Sequence, residues 1–200
     1  MALAPAPASL PRSDIAWTPS LVRNDVLPTC SIAGLMNSAR IWALVHGFDL
    51  VNVEGALLAF YASLAGCAAT EAAMEATDGL VLLDVLERAR NAGFGCGEQT
   101  PLVPRFASIQ LSDAALKDAI WAHGAAYIGV MLYEADVEPD AKWVGGTEKA
   151  GAKVGGHCVA PWRYTSDGYG IATWGGTTEA DPEWLASRIE EAYSLLWTFA

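Results

Sequence analysis

Apolar residues in the first half of the chain recur every three and four positions, the helical period. Over 30–46 the stripe is Ile32, Leu35, Met36, Ala39 and Trp42, and Gly47 stands where such a helix ends. A second helix is predicted over 52–66 from Ala56, Leu57, Ala59, Phe60 and Leu64, closing at Gly66. The Ala-rich piece around 68–76 reads as a short helix or a loop. A third helix over 78–92 turns Leu80, Leu83, Val85, Leu86 and Ala89 inward and Glu87, Arg88 and Arg90 outward, with Thr77 or Asp78 as its cap. The glycine-rich run 91–97 follows a helix rather than a strand, the wrong order for a phosphate loop, and reads as a plain connection.

In the second half the pattern changes. A strand is predicted around Val103–Gln110, broken at Pro104, and then a helix over 113–123 between the caps Ser112-Asp113 and the stop Gly124. Tyr127–Tyr133 is apolar on both faces, as a central strand is. Residues 134–155 read as a long polar loop, a feature that is usually functional or mobile. His157–Tyr164 and Tyr169–Trp174 read as two strands joined by a turn at Ser166-Asp167-Gly168. Asp181-Pro182 looks like the cap and first residue of a final helix over about 182–198, burying Trp184, Leu185, Ile189, Tyr193 and Leu196. Helices first and antiparallel strands second predict an α+β fold. The expected organisation is an extended Ala/Pro-rich arm over 1–20 and one domain over 21–200. Its helical lobe spans about 21–100 and its β lobe about 101–200.

Composition narrows the function classes. The 200 residues are 52% hydrophobic with eight Trp, enough for a sizeable core. No stretch reaches the ~18–20 apolar residues of a membrane helix, so no membrane partner is expected. A net charge of −11 argues against nucleic acid, which needs a basic face. The N-terminus has no basic segment and no unbroken apolar segment, so a signal peptide is not expected. The expected location is the cytoplasm of a host cell, or a virion assembled there. The four cysteines form no C-x-x-C pair and read as reduced thiols. His46, His123 and His157 have no metal-ligand spacing, so neither a metal nor another cofactor is expected. His46 and His123 each precede a helix-ending glycine, where the helix dipole favours them.

The stretch Asn24–Leu35 carries the candidate chemistry. The chain turns at Pro28-Thr29 and a helix begins at Cys30, so a thiol sits on a first turn. Unpaired N–H groups and the dipole there favour a thiolate, which predicts a lowered thiol pKa. Asn24 stands six residues upstream, and Gly155-Gly156-His157 lies far downstream.

A helix-borne Cys in the first lobe and a strand-borne His in the second resemble papain-like cysteine peptidases. Thr29-Cys30 looks like their Ser-Cys, Gly155–Val159 like their Gly-His-Ala-Val strand, and Trp174-Gly175 like their Trp-Gly. Asn24 stands where they carry an oxyanion-hole Gln. The chain looks closer still to an uncharacterised phage and bacterial group of this fold, through Asn24–Gly34, Asp78–Leu86, Gly155–Val159 and Thr173-Trp174-Gly175. The resemblance implies a Cys30 nucleophile, a His157 acid–base, an Asn24 oxyanion donor, and Trp174 and Thr173 lining the site. It implies a peptide or amide substrate.

The chain departs from the pattern in three places. Asn24 is a methylene shorter than Gln, Pro28 replaces a Gly, and Ala172 stands where an Asn would orient the histidine. These departures motivate a second reading, a papain-like fold kept as a phage virion component. Its partners would be phage structural proteins, or copies of itself held through residues 1–20.

Overall fold

A computed structural model describes residues 5–94, 100–138, 141–146 and 151–199. The glycine-rich connection at 95–97, including Cys96, lies outside the described residues, as do parts of the loop predicted over 134–155.

Four helices build the first lobe: α1 (Cys30–Val45), α2 (Glu54–Ala65), α3 (Glu71–Glu75) and α4 (Leu82–Ala92). α1 is the central one. Ile32, Leu35, Met36 and Ala39 are fully buried, and each large side chain among them contributes about 1.5–3 kcal/mol. Its polar residues are buried too. Asn37 exchanges two hydrogen bonds with the backbone of Ser20 (2.6 and 3.1 Å), and Ser38 Oγ donates to the Gly34 carbonyl at 2.9 Å. α4 begins at Leu82 rather than near 78, because Val81 offers no side-chain cap and the chain at 78–81 runs as a loop. That difference matters below, since Asp78, Gly79 and Leu80 become wall rather than helix.

The second lobe is one sheet of six strands: β1 (Pro101–Ser108), β2 (Ala126–Tyr133), β3 (Lys153–Tyr164), β4 (Tyr169–Thr173), β5 (Gly176–Ala180) and β6 (Ile189–Phe199). Their spatial order is β1-β6-β2-β3-β4-β5, with every neighbouring pair antiparallel. Helix α5 (Asp113–His123) is capped by Ser112, whose Oγ accepts from Ala115 N. The short helices α6 (Glu134–Val137) and α7 (Pro182–Arg188) complete the lobe. Helices on one side and an antiparallel sheet on the other make the fold α+β.

The largest departure from the sequence pattern is at the C-terminus. Asp181 and Pro182 do start a helix, and Asp181 Oδ1 accepts from Trp184 N at 2.6 Å. It stops at Arg188, and Ile189–Phe199 runs extended between β1 and β2. Hydrogen bonding on both sides outweighs helical spacing here, in a segment rich in residues that suit strands. The sequence pattern likewise does not predict β5. Trp174 and Gly175 have φ of +42° and +71°, and Thr173 pairs with Gly176, so the two residues form a tight hairpin turn. β3 begins at Lys153, inside the segment read as loop.

Residues 5–20 lie extended on their own domain. Leu10 pairs with Tyr164, and the buried Arg12 guanidinium donates to the carbonyls of Gly124, Trp162 (2.5 Å) and Ile120 (3.1 Å).

A buried ion pair braces the sheet from behind. Arg188 Nε donates to Asp136 Oδ2 at 3.0 Å, and both residues are almost fully buried. Asp136 also accepts from Trp184 Nε1 (2.7 Å) and, through its carbonyl, from Trp143 Nε1 (3.1 Å). Asp136→Ala would leave Arg188 buried without a counter-charge. We expect a loss of about 3–5 kcal/mol in unfolding free energy, read as a lowered denaturation midpoint.

Candidate active site

The loop before α1 is held by its own backbone and by Thr29. Thr29 Oγ1 donates to the Val22 carbonyl at 2.6 Å instead of capping the helix. Val22 and Arg23 have φ of +52° and +55°, a strained conformation for a β-branched residue. Such outliers cluster at sites whose surroundings impose them. Thr29 thus gives the first turn no side-chain cap, while its carbonyl accepts from Ile32 N–H at 3.0 Å.

Backbone N–H groups of Cys158, Ser31 and Cys30 lie near the thiol and favour the thiolate. Burial outweighs them, and the thiol pKa lies above its ordinary value. The sequence expectation of a lowered pKa is thus corrected. A helix start supplies dipoles, but the other lobe closing over Cys30 removes the water that would solvate its charge.

Cys30 thus lies beside the residue that follows His157, and both line the same cavity. Gly34, one turn along α1, makes this approach possible. A Cβ there would lie 2.7 Å from Cys158 Sγ, so only glycine lets β3 come this near α1. Strand alternation then separates the two neighbours. Cys158 faces α1 and the core around Tyr127, as the sequence suggested. His157 faces the other way. Its Nε2 is 2.7 Å from Thr173 Oγ1, and its ring stacks on Trp174 at 4.4 Å and 22°.

Thr173 therefore does what an orienting carboxamide would do. Ala172 pairs with Ala160 and so shares a face with Cys158, not with His157. A hydroxyl both donates and accepts, so Thr173 fixes the ring's angle but serves either tautomer. Trp174 is held in turn by Trp143, edge-on at 6.1 Å, which stacks on Trp184 at 4.1 Å. The brace at Asp136 thus reaches the histidine through three tryptophans.

Cys30 and His157 line one cavity of about 190 Å³. Its other walls are Asp78, Gly79, Leu80 and Leu82 from the helical lobe and Gly129, Val130, Gly156, Cys158, Glu190 and Glu191 from the sheet. Asn24 is not among them. Its Nδ2 donates to the Leu27 carbonyl at 3.1 Å and closes its own turn. His46 and His123 stay at the ends of α1 and α5 and line none of this cavity. Asp78, Gly129, Glu190 and Glu191 went unrecognised in the sequence. The sequence pattern puts the two glutamates in the final helix, and their place depends on β6 joining the sheet. Among the described residues no group of three or more His, Cys, Asp or Glu is arranged to hold a metal.

No family model matches the chain, and no curated protein matches it by sequence. Solved structures do match its fold. Xylellain, a cysteine protease from Xylella fastidiosa, superposes with a TM-score of 0.63 at 12% identity over 98% of each chain. A cysteine protease of Carica candamarcensis gives 0.64 at 17% identity over 94% of this chain and 98% of that one. Digestive procathepsin L 3 of Tenebrio molitor larval midgut gives 0.68 at 12% identity, covering 96% and 70%. The chain has the papain-like fold.

Burial also holds His157 neutral, with its pKa pushed down to about 4. The unfolded chain, with an ordinary histidine near ~6.5, takes up the proton first as pH falls. The stability this residue lends is therefore complete above pH ~6.5 and is lost as pH falls toward about 4. Comparing denaturation at about pH 7 and about pH 4.5, wild type should lose on the order of 2–3 kcal/mol more than His157→Gln.

Proposed function

We propose that the chain is a cysteine hydrolase that cleaves peptide or amide bonds through Cys30 and His157. The observation that carries this reading is the shared cavity of the two residues, with the thiol against the residue next to His157. The papain-like fold of the neighbouring structures supports it at the level of architecture.

Both groups are neutral near neutral pH, since burial raises the thiol and lowers the imidazole. The chemistry that suits this state is general-base activation rather than attack by a preformed ion pair. His157 accepts the Cys30 proton as sulfur bonds to the carbonyl carbon. The imidazolium then gives that proton to the departing amine as the C–N bond breaks, leaving a thioester. Water attacks the thioester, His157 again takes a proton, and the carboxylic acid leaves as the thiol reforms. The Cys30 backbone N–H, at the uncapped start of α1, is placed to meet the developing oxyanion. Asn24 would have to release Leu27 before adding a second donor.

A second reading is a phage virion component that keeps the fold without turnover. The desolvated, neutral pair is the observation in its favour. Two measurements separate the readings. As a hydrolase, Cys30→Ala and His157→Ala should each abolish cleavage of a fluorogenic peptide amide. Thr173→Val should lower kcat by roughly 10²-fold with little change in KM. Iodoacetamide should label Cys30 at neutral pH at a rate that His157→Ala lowers. Labelling that is indifferent to His157, together with no cleavage, would support the virion reading.

A further inference from the structure

Two thiols line the cavity that His157 faces, and they come from different lobes: Cys30 starts α1, and Cys158 lies on β3. Both are free; Cys30 is partly exposed and Cys158 is buried. The proposed hydrolysis makes no use of Cys158. Packing alone needs only a small apolar side chain there, but the position of its sulfur says more. Gly34 follows Cys30 by one turn of α1, and residues four apart on a helix have Cβ atoms about 5–6 Å from each other. Cys158 Sγ lies 2.7 Å from where a Gly34 Cβ would be. The sulfur therefore sits over the side of α1 that Cys30 begins. The Cys158 N–H lies near the Cys30 thiol itself. Only one side chain and one contact separate the two Cα atoms, which suits the about 4.4–6.8 Å that a disulfide spans. Cys67, just past the end of α2, lines none of this cavity.

The two thiols differ in what they can do. Cys30 is the one an oxidant reaches. It is the more exposed, N–H groups around it favour the thiolate, and His157 in the same cavity is a base for its proton. Cys158 is held as a thiol by burial first, and then by negative charge on Cys30. A sulfenic acid at Cys30 is neutral, so oxidation there lifts the second restraint. The arrangement orders the pair, with one thiol to be oxidised and one to resolve it.

We infer that Cys30 and Cys158 form a reversible disulfide when the protein meets a peroxide, and that this bond closes the site. The Cys30 sulfur attacks one oxygen of hydrogen peroxide, and the O–O bond breaks. The other oxygen leaves as water with the thiol proton, and Cys30 becomes a sulfenic acid. The Cys158 sulfur then attacks the Cys30 sulfur. The S–O bond breaks, the hydroxyl leaves as water with the Cys158 proton, and the S–S bond forms. In sum two thiols are oxidised and one peroxide is reduced to two waters. A dithiol restores both thiols and is itself oxidised to a disulfide. Without Cys158, a second peroxide carries the sulfenic acid to a sulfinic acid, which thiols do not reduce. The buried thiol thus protects the nucleophile as well as switching it off. The inference goes beyond the hydrolase reading and does not require turnover.

The test is peptide mapping of the whole protein. It is treated with hydrogen peroxide, unfolded, alkylated with iodoacetamide and digested with trypsin. Cuts after Arg23, Arg40, Lys153 and Arg163 put Cys30 in peptide 24–40 and Cys158 in peptide 154–163, while Cys67 and Cys96 fall in others. Wild type should give the two peptides joined, lighter than their sum by two hydrogens, and dithiothreitol before alkylation should leave them apart. In the folded protein, peroxide should lower iodoacetamide labelling of Cys30 at least about tenfold, with recovery in dithiothreitol. In Cys158→Ala, peroxide should produce sulfinic acid at Cys30 and a loss of labelling that dithiothreitol does not reverse. The mapping of wild type stands whether or not that variant folds. Cys30 that stays reduced, that reaches sulfinic acid with no joined peptides, or that joins Cys67 or Cys96 instead overturns the inference. Joined peptides in a protein that cleaves no peptide amide overturn the hydrolase reading and leave the disulfide standing. Cleavage by a protein that never joins them overturns the inference and leaves the hydrolase reading standing.

Discussion

The close packing of β3 on the start of α1 is the contact on which the site depends. It exists because Gly34 has no side chain where Cys158 Sγ must lie. From that contact the rest follows by strand geometry. Cys158 is committed to the helical face, so His157 must project from the other, where Thr173 and Trp174 hold it. Pressing the lobes together also desolvates the thiol and the imidazole. One packing decision thus sets the position and the charge state of both groups.

Two opposed effects act on Cys30, and their balance decides its protonation. First-turn N–H groups pull the thiol pKa down, while loss of water pushes it up, and the second wins. For His157 burial acts alone, and it favours the neutral ring. The result is two neutral groups lining one cavity. The Thr173 hydroxyl suits that arrangement, since it follows the ring through either tautomer.

Irregular backbone also lies close to the site. Trp174 turns with a positive φ, Val22 and Arg23 do the same on the facing loop, and β6 carries its bulge at Glu190. Such features cost stability locally and persist where surrounding structure holds them. Here that structure includes the aromatic stack from Trp184 through Trp143 to Trp174, anchored on Asp136. The bulge adds Glu190 beside Glu191 on the cavity wall.

Much of the first lobe was legible in the sequence because its information is local. The apolar spacing of Ile32, Leu35, Met36 and Ala39 placed α1, and glycines at the helix ends set its neighbours. Cys30 at a helix start and His157 on a strand were visible as motifs, and so was Trp174-Gly175. Three things were decided only in three dimensions. Ile189–Phe199 has a spacing compatible with a helix and becomes a strand because open edges of β1 and β2 await it. Glu191 reaches the cavity because Ile189–Phe199 is a strand, which sets it opposite Gly129 on the face it shares with Tyr193 and Leu195. Asn24 and Thr173 exchanged their expected importance, because orientation depends on which face of a strand or turn a side chain takes. The sequence determined the helical lobe and the candidate residues for chemistry. The tertiary structure decided which of them meet and in what state of charge, since pairing between distant segments and exclusion of water are properties of the folded chain alone.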